Sequence, residues 1–457
     1  MPVSFAVTLT AAALAFLAAC RAAHSTDLYW QIPEGRSVLH GIMPHAVPYA
    51  VGSPPWLDHE WLFEGVAALL YDAHALPVLV VLCALAAGAA PLLAYLAARD
   101  MGWHWAPTSF AILAVGASTT VSLAERPQSF VLLIFLLSVW ALWRGAPRPL
   151  VFVPLAAMWS NVHASGVLAP AICVLFAVAY AVSDRVRDTR VRNCALAAAA
   201  AFGGTLLNPH GIGLWAYALT ALADANGSHR LIVEWAPIFA PSVLKASIVW
   251  LIIVAVVIAG AMIGPRAGLA PALAGITLLA LPILHARFIL FTAAGAMPVI
   301  VRALRPLTAS TPAERSLPRA FIALPVVLVL GGIAAALTTP PIAEKSAGAA
   351  ATLVARDNVR GVIFTKYEDE AFLAAFEALP VRVLIDSHGD PYDARTWADE
   401  ATLEDAQPAW ASTLRRRRIG AVVLPRWHPL AQALATDRRW RLADAVNGEV
   451  LYLPRTH

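Results

Sequence analysis

The chain has 457 residues, a formal net charge of +4, 59% hydrophobic residues and only 14% charged ones, with a mean hydropathy of +0.67. Soluble globular domains carry about 25% charged residues, so this composition excludes a soluble globule and indicates a polytopic α-helical membrane protein. The basic excess is almost all arginine, since lysine occurs only at 245, 345 and 366; spread over short loops, it suits membrane topology, and no nucleic-acid partner is expected.

A membrane span needs about 20 apolar residues, fewer where a helix is enclosed in a bundle. The apolar runs predict about eleven transmembrane helices, at 3–20, 75–98, 106–123, 128–144, 149–161, 164–183, 193–207, 245–263, 268–284, 288–303 and 320–338. Leu17-Ala18-Ala19-Cys20 has the look of a lipoprotein cleavage site, but the preceding MPVSF lacks a basic residue, so a retained first helix is expected. The polar run 21–64 follows, bringing Asp27, Asp58, His59, Glu60 and Glu64 together with several aromatics, and reads as an active-site loop. Its end, 56–72, reads as an interfacial helix or a short span, because Trp56, Trp61, Leu62 and Phe63 suit a membrane surface.

Orientation follows from the arginines. Arg99, Arg144 and Arg148, the run Arg185 to Arg192, Arg266, and Arg302 to Arg319 fall at alternate turns, which the positive-inside rule makes cytoplasmic. The opposite turns hold 21–60, Arg126, Asn161 with His163, the 208–244 loop with Glu234, His285 with Arg287, and everything after about 340. These outer residues are acids, histidines, asparagines and single arginines, and such groups at membrane depth are expensive unless they pair or act. If the helices bundle, the outer turns surround one cavity.

From about 345 the pattern changes. VRGVIFTKY (359–367), VRVLIDS (381–387), IGAVVLPR (419–426) and GEVLYLP (448–454) read as strands, with helical patterns at 368–379 and 400–417. The expected organisation is therefore a transmembrane part, 1–340, and a C-terminal extracytoplasmic α/β domain, 341–457, with a partly parallel sheet. Cys20, Cys83, Cys173 and Cys194 lie in or beside apolar runs without metal-ligand spacing. They read as small hydrophobes, and no metal site is expected from them.

The ordered set now carries a resemblance. Asp27-Leu28-Tyr29-Trp30 follows the first span and Asp58-His59-Glu60-Trp61-Leu62 closes the loop; then come Glu125-Arg126-Pro127-Gln128, Trp159 to Gly166, Leu207-Asn208-Pro209-His210-Gly211, Glu234-Trp235, His285-Ala286-Arg287-Phe288, and Ile385-Asp386-Ser387 with Tyr392. Together they resemble the GT-C superfamily of membrane glycosyltransferases, the group of oligosaccharyltransferase catalytic subunits, protein O-mannosyltransferases and lipid A aminoarabinose transferases. The resemblance implies a bacterial enzyme of the cytoplasmic membrane, N-terminus cytoplasmic and C-terminal domain periplasmic. It would move a sugar from a polyprenyl-phosphate carrier to an envelope acceptor (lipid, glycan or protein) with inversion, and no cofactor is required. Two departures stand out: Leu28-Tyr29-Trp30-Gln31 where many relatives have Trp-Trp-His after the Asp, and His388 where an arginine is common near Asp386.

Such a transfer needs a base for the acceptor's proton and cationic groups for the departing phosphate. Asp27 is the candidate base, with capping of a short helix at 28–32 as its alternative. His59 and Glu60 have three readings, namely acceptor binding or base duty, capping of a helix, and metal ligation, for which they supply only two ligands. Arg126 and Arg287 are the candidate phosphate binders, since a guanidinium offers two parallel donors; each is otherwise a headgroup anchor. Asn161 and His163 are candidates for sugar or carrier contacts, against satisfaction of a helix break. Glu234 and His285 complete the candidate donor site, with Trp235 as a stacking face or an interfacial anchor. Two other functional classes remain open: a transporter or flippase of a lipid-linked substrate, and a non-catalytic scaffold whose outer domain binds a partner. A transporter would gather ionisable groups near the middle of spans in both halves, whereas here they lie on one side.

Overall fold

Away from water, an apolar segment satisfies its own backbone only as a helix, and each of the predicted apolar segments forms one. The computed structural model describes residues 1–21, 25–119, 125–183, 188–223, 235–263, 269–305, 314–338 and 345–455. The first helix is α1 (Val3–Cys20), and the polar run after it forms α2 (Leu28–Leu39) and α3 (Trp61–Asp72). Next come α4 (Leu76–Asp100), α5 (Trp105–Thr119), α6 (Gln128–Trp143), α7 (Phe152–Val162), α8 (Leu168–Ser183) and α9 (Thr189–Thr205). They are followed by α10 (Gly213–Leu222), α11 (Leu244–Ile263), α12 (Leu269–Ala280), α13 (Ile289–Leu304) and α14 (Ala323–Leu337).

Among the described residues, six helices are long and apolar enough to cross a membrane: Val3–Cys20, Leu76–Asp100, Ala164–Ser183, Pro241–Ile258, Ala286–Leu304 and Arg319–Leu337. The other predicted spans are shorter; α5, α6, α7, α9 and α12 have 15, 16, 11, 17 and 12 residues. At 1.5 Å per residue these reach about 16–26 Å, less than a hydrocarbon core of about 30 Å. Among the described residues, the expectation of about eleven spans thus meets a helix at each place and, at six of them, a helix long enough to span.

Packing divides the chain into two units. One comprises Met1–Ala23, Ala75–Ala218 and Val233–Thr339. In it α1 packs against α4, α5 and α14, while α13 packs against α5, α11 and α12. Small residues let these helices approach: Gly88 lies against the Ala12 carbonyl and Gly332 against the Phe16 ring. Phe135, Trp159 and Phe291 form an aromatic centre with ring centroids 4.9–6.3 Å apart. Only 17% of the most apolar stretch, Arg319–Leu337, is buried, and Leu324, Val327, Leu330 and Leu337 are exposed on it. A face so apolar and so open suits lipid. All four cysteines are free and buried, as their apolar surroundings suggest.

The second unit comprises His24–His74, Leu219–Ile232 and Pro340–His457. Residues 24–64 of the polar loop, assigned from sequence to the transmembrane part, therefore pack with the C-terminal segment. That segment begins with α15 (Lys345–Arg356) and β1 (Gly361–Phe364), then a π-helical turn at Phe372–Phe376 and β2 (Val381–Arg382). It continues through α16 (Ala394–Glu404), α17 (Trp410–Arg416), β3 (Ala421–Pro425), α18 (Pro429–Thr436), β4 (Trp440–Val446) and β5 (Glu449–Pro454). The sheet order is β2-β1-β3-β5-β4, with β1 parallel to β2 and β3, and β5 antiparallel to β3 and β4. The partly parallel sheet is as expected; β4 is an addition.

The polar loop adds to this sheet. Val383 N–H donates to the Tyr49 carbonyl at 3.1 Å and Val51 N–H to the Val383 carbonyl at 2.9 Å, a parallel bridge of Ala50 with Val383. The Arg382 guanidinium also donates to the Ala50 carbonyl at 2.8 Å. Helices α2 and α3 cross closely at Gly35, where a Cβ would stand 2.1 Å from the Glu64 carbonyl oxygen.

Candidate functional site

The predicted site residues fall in both units. In the second unit, Asp27 stands at the N-cap position of α2, but its side chain makes no capping hydrogen bond. Its backbone carbonyl accepts from Gln31 N–H at 2.9 Å. The carboxylate is half-buried, and its charge acts on the Tyr367 phenol, which burial first and then the Asp386 and Asp27 charges push well above the usual tyrosine range.

One helical turn further along α2, side chains enter a buried polar cluster. Glu34, Asp58, His59, Glu60 and Glu64 are all less than a tenth exposed, and Asp58 and Glu64 not at all. Asp58 takes the Glu60 N–H at 3.2 Å, so Asp58, rather than the side chain of His59 or Glu60, bonds the backbone at the start of α3. Glu60 instead accepts from Gln31 Nε2 at 2.8 Å, and the His59 ring meets Trp56 edge-on at 5.2 Å.

Buried carboxylates resist ionisation because no water solvates the charge. Burial, then the Glu34 charge, lifts Asp58 to about 7, against smaller opposing effects from the Glu60 N–H, Glu64 and His388. Burial, then the charges of Asp58, Glu34 and Glu60, lifts Glu64 well above the carboxylate range. Neither Glu64 oxygen accepts from a donor among the described groups, and two carboxyls bond each other only when one carries a proton. A proton on Glu64 shared with Asp58 satisfies both facts. Oxygens of Glu34, Asp58 and Glu64 also lie within 4.8 Å of one another, a donor set of hard oxygens chemically suited to a divalent cation.

Glu34 leads to a second buried group. His388 Nε2 bonds Glu34 Oε1 at 3.1 Å and Nδ1 bonds both Asp386 oxygens at 2.9 Å. Asp386 also accepts from Tyr49 Oη at 2.5 Å and Tyr392 Oη at 2.7 Å. A histidine bridging two carboxylates through both nitrogens is the imidazolium form. Burial lowers its affinity for the proton, but Asp386 and Glu34 outweigh that and raise His388 to about 10. Asp386 is held below the usual carboxylate range: burial pushes it up, and His388, Tyr49 and Tyr392 more than reverse that. The ring of His388 stacks on Trp30 at 3.9 Å.

In the helical unit, α7 ends at Val162 and His163 turns the chain into the next helix. Its Nδ1 accepts from Ser165 N–H at 3.0 Å, its Nε2 lies 3.1 Å from Gln128 Nε2, and the charges of Arg287 and Arg126 both act on it. Arg287 lies over the Trp235 ring at 4.3 Å. His285 Nδ1 meets the Trp235 carbonyl at 2.7 Å, with the two rings edge to face at 5.0 Å. Arg126, His163, His285 and Arg287 thus gather around one end of this unit.

Asn161 stands at the end of α7. Its Nδ2 donates to the Ala157 and Leu207 carbonyls at 2.7 and 2.8 Å, closing a helix break with both hydrogens. Asn208 likewise makes a turn, accepting from His210 N–H at 2.8 Å. Glu234 lies outside the described residues. Sequence reasoning did not name Glu34; it named Glu64 only among the acids of the predicted active-site loop, Trp30 only within the motif after Asp27, and His388 only as a departure from pattern. Glu34 has no motif around it, and its partner is 354 residues away.

Solved structures of membrane proteins share this fold at low sequence identity. An oligosaccharyltransferase of Archaeoglobus fulgidus, solved with a tethered acceptor peptide containing an NVT sequon, is 11% identical with a TM-score of 0.56, over 99% of this chain and 74% of that one. The same protein in complex with Zn and sulfate gives 0.54 at 11% identity, over 92% and 68%. The mycobacterial arabinofuranosyltransferase AftD gives 0.52 at 15% identity, over 98% of this chain and 41% of that one. No protein-family model matches the sequence, and no curated protein matches it.

Proposed function

We propose that the protein is a membrane glycosyltransferase that takes a sugar from a polyprenyl-phosphate carrier and passes it to an envelope acceptor on the outer face of a bacterial cytoplasmic membrane. A shared fold does not fix a reaction, so the reading leans on the site. The observation that carries it is the pair of guanidinium groups, Arg126 and Arg287, whose charges both act on His163 in a chain with the GT-C fold. Two arginines at helix ends offer a lipid-linked phosphate paired, charge-assisted hydrogen bonds, and Trp235 under Arg287 keeps that guanidinium in place.

In this reading Asp27 removes the proton of the acceptor hydroxyl as its oxygen bonds to the anomeric carbon. The carbon–oxygen bond to phosphate breaks, its electron pair leaves with the polyprenyl phosphate, and the anomeric centre inverts. Arg126 and Arg287 hold the charge that develops on the leaving group, with His163 and His285 beside them. Glu34, Asp58 and Glu64 are where a divalent cation would bind if transfer uses one. Their buried, close-set oxygens fit such an ion.

The test incubates purified full-length protein with radiolabelled polyprenyl-phosphate pentoses and hexoses and an envelope extract. Label moving to an acceptor is the expected result. Replacing Arg126 or Arg287 by alanine should raise the donor KM about tenfold or more, as loss of a charge-assisted phosphate contact would. No transfer from any donor, or an unchanged donor KM in both variants, overturns the assignment. Accumulation of intact donor across a proteoliposome membrane would mark a transporter instead.

A further inference from the structure

His388 holds two successive turns of one helix at once. Its Nε2 bonds Glu34 and its ring stacks on Trp30 at 3.9 Å and 28°, and these two residues lie four apart on the same face of α2. Around this contact, Trp30 Nε1 donates to Ser387 Oγ at 3.0 Å and Trp56 Nε1 donates to Glu34 Oε2 at 3.1 Å. Trp56 also closes edge-on over the His388 ring at 4.8 Å. Behind it, Asp386 fixes the other ring nitrogen and is itself held by two tyrosines. The histidine side chain is fully buried. Asp27, the residue just before α2, stands three positions ahead of Trp30 and so lies one turn from the stacked ring.

We propose that His388 is the positioning residue for Asp27: by gripping Trp30 and Glu34 it sets the depth and rotation of α2, and with them the place of the Asp27 carboxylate. The proposal rests on the reading of Asp27 as the base. Side chains are long levers on a rigid helix, so a shift of about 1 Å at the start of α2 is enough to cost about 10²-fold in a proton transfer. Glutamine at 388 fits the space roughly but cannot donate to two carboxylates along opposite directions, and it lacks the ring that stacks.

The experiment keeps the full chain, in lipid nanodiscs, with the four native cysteines replaced by alanine and a nitroxide attached at Asp27→Cys. A control label sits at Arg441→Cys, on the exposed strand β4. The electron paramagnetic resonance spectrum at position 27 should be ordered in the parent and gain a mobile component in His388→Gln and in Glu34→Gln. The double variant should be no worse than the worse single one, because both remove the same grip. The label at 441 should not change. In unlabelled protein, His388→Gln should lower kcat about 10²-fold with the donor KM retained. An unchanged spectrum at 27, equal loosening at 27 and 441, or additive effects in the double variant would overturn the proposal. Should His388→Gln fail to fold, Trp30→Phe makes the same prediction, since it keeps an aromatic body and loses the bond to Ser387. The spectra judge the positioning whatever the chemistry; undiminished transfer by Asp27→Asn would sink the base while leaving the spectra to stand.

Discussion

At the scale of single residues, two buried groups make stability depend on pH. His388 is raised from 6.5 to about 10 in the folded chain, so the stability it contributes is complete below about pH 6.5 and lost as pH rises through 10. Asp58 is raised from 3.8 to about 7, so its contribution is complete below about pH 4 and lost as pH rises through 7. Both slopes have the same sign, and the detergent-solubilised protein should grow less heat-stable from pH 4 to 10. Asp58→Asn should flatten the acid half of that slope, raising the midpoint at pH 8 relative to wild type while leaving the alkaline half. A few kcal/mol are at stake, because each tenfold gain in proton affinity on folding is worth about 1.4 kcal/mol. A variant with wild-type slope between pH 4 and 7 would show that Asp58 ionises freely in the folded chain. These residues also mark where sequence reading stops. Asp58 and Glu64 were visible as acids in one loop, but their burial, and the charges of Glu34 and the sequence-distant His388 that act on Asp58, were not.

At the scale of elements, the close crossing of α2 and α3 depends on a missing side chain. A Cβ at Gly35 would meet the Glu64 carbonyl at 2.1 Å and Ala68 Cβ at 2.9 Å, and backbone cannot yield as a side-chain tip can. Gly35→Ala should destabilise the unit by about 1–3 kcal/mol, the usual cost of overpacking, and should raise amide exchange in α2 while sparing β3 and β5. Unaltered exchange in α2 would mean that the helices can move apart at little cost. Most elements were legible because period and hydropathy suffice for them: the apolar helices, and the three strands rich in valine, isoleucine and leucine, β1, β3 and β5. Strand β4, Trp-Arg-Leu-Ala-Asp-Ala-Val, was not. It is an edge strand, mostly open to solvent, and bulged between Leu442 and Asp444, so no buried face imposes alternation. The helical pattern at 400–417 became two helices, α16 and α17, because the chain breaks at Ala406, whose φ is +48°.

At the scale of the molecule, the fold is shared with solved structures whose sequences are only 11–15% identical to this one. A membrane fold constrains hydropathy more than side-chain identity, so a fold can be shared at such low identity. What did not follow from the pattern is how the polar loop is built in. It shares a unit with the C-terminal segment, and the parallel bridge at Ala50 and Val383 that joins them is a long-range pairing with no local signal. Removing the C-terminal segment from about residue 345 should therefore unfold the loop as well, which loss of protease protection at 25–74 would report. A loop that stays protected would contradict this.

The central claim is that Asp27 is the base of a glycosyl transfer from a polyprenyl-phosphate donor. Its most direct measurement is transfer by purified wild type and Asp27→Asn with the donor found active, at saturating acceptor, together with donor binding to each. A base at this position predicts a loss of about 10²–10⁴-fold in kcat with donor affinity retained, the range for removing a general base. Transfer undiminished by Asp27→Asn would contradict it.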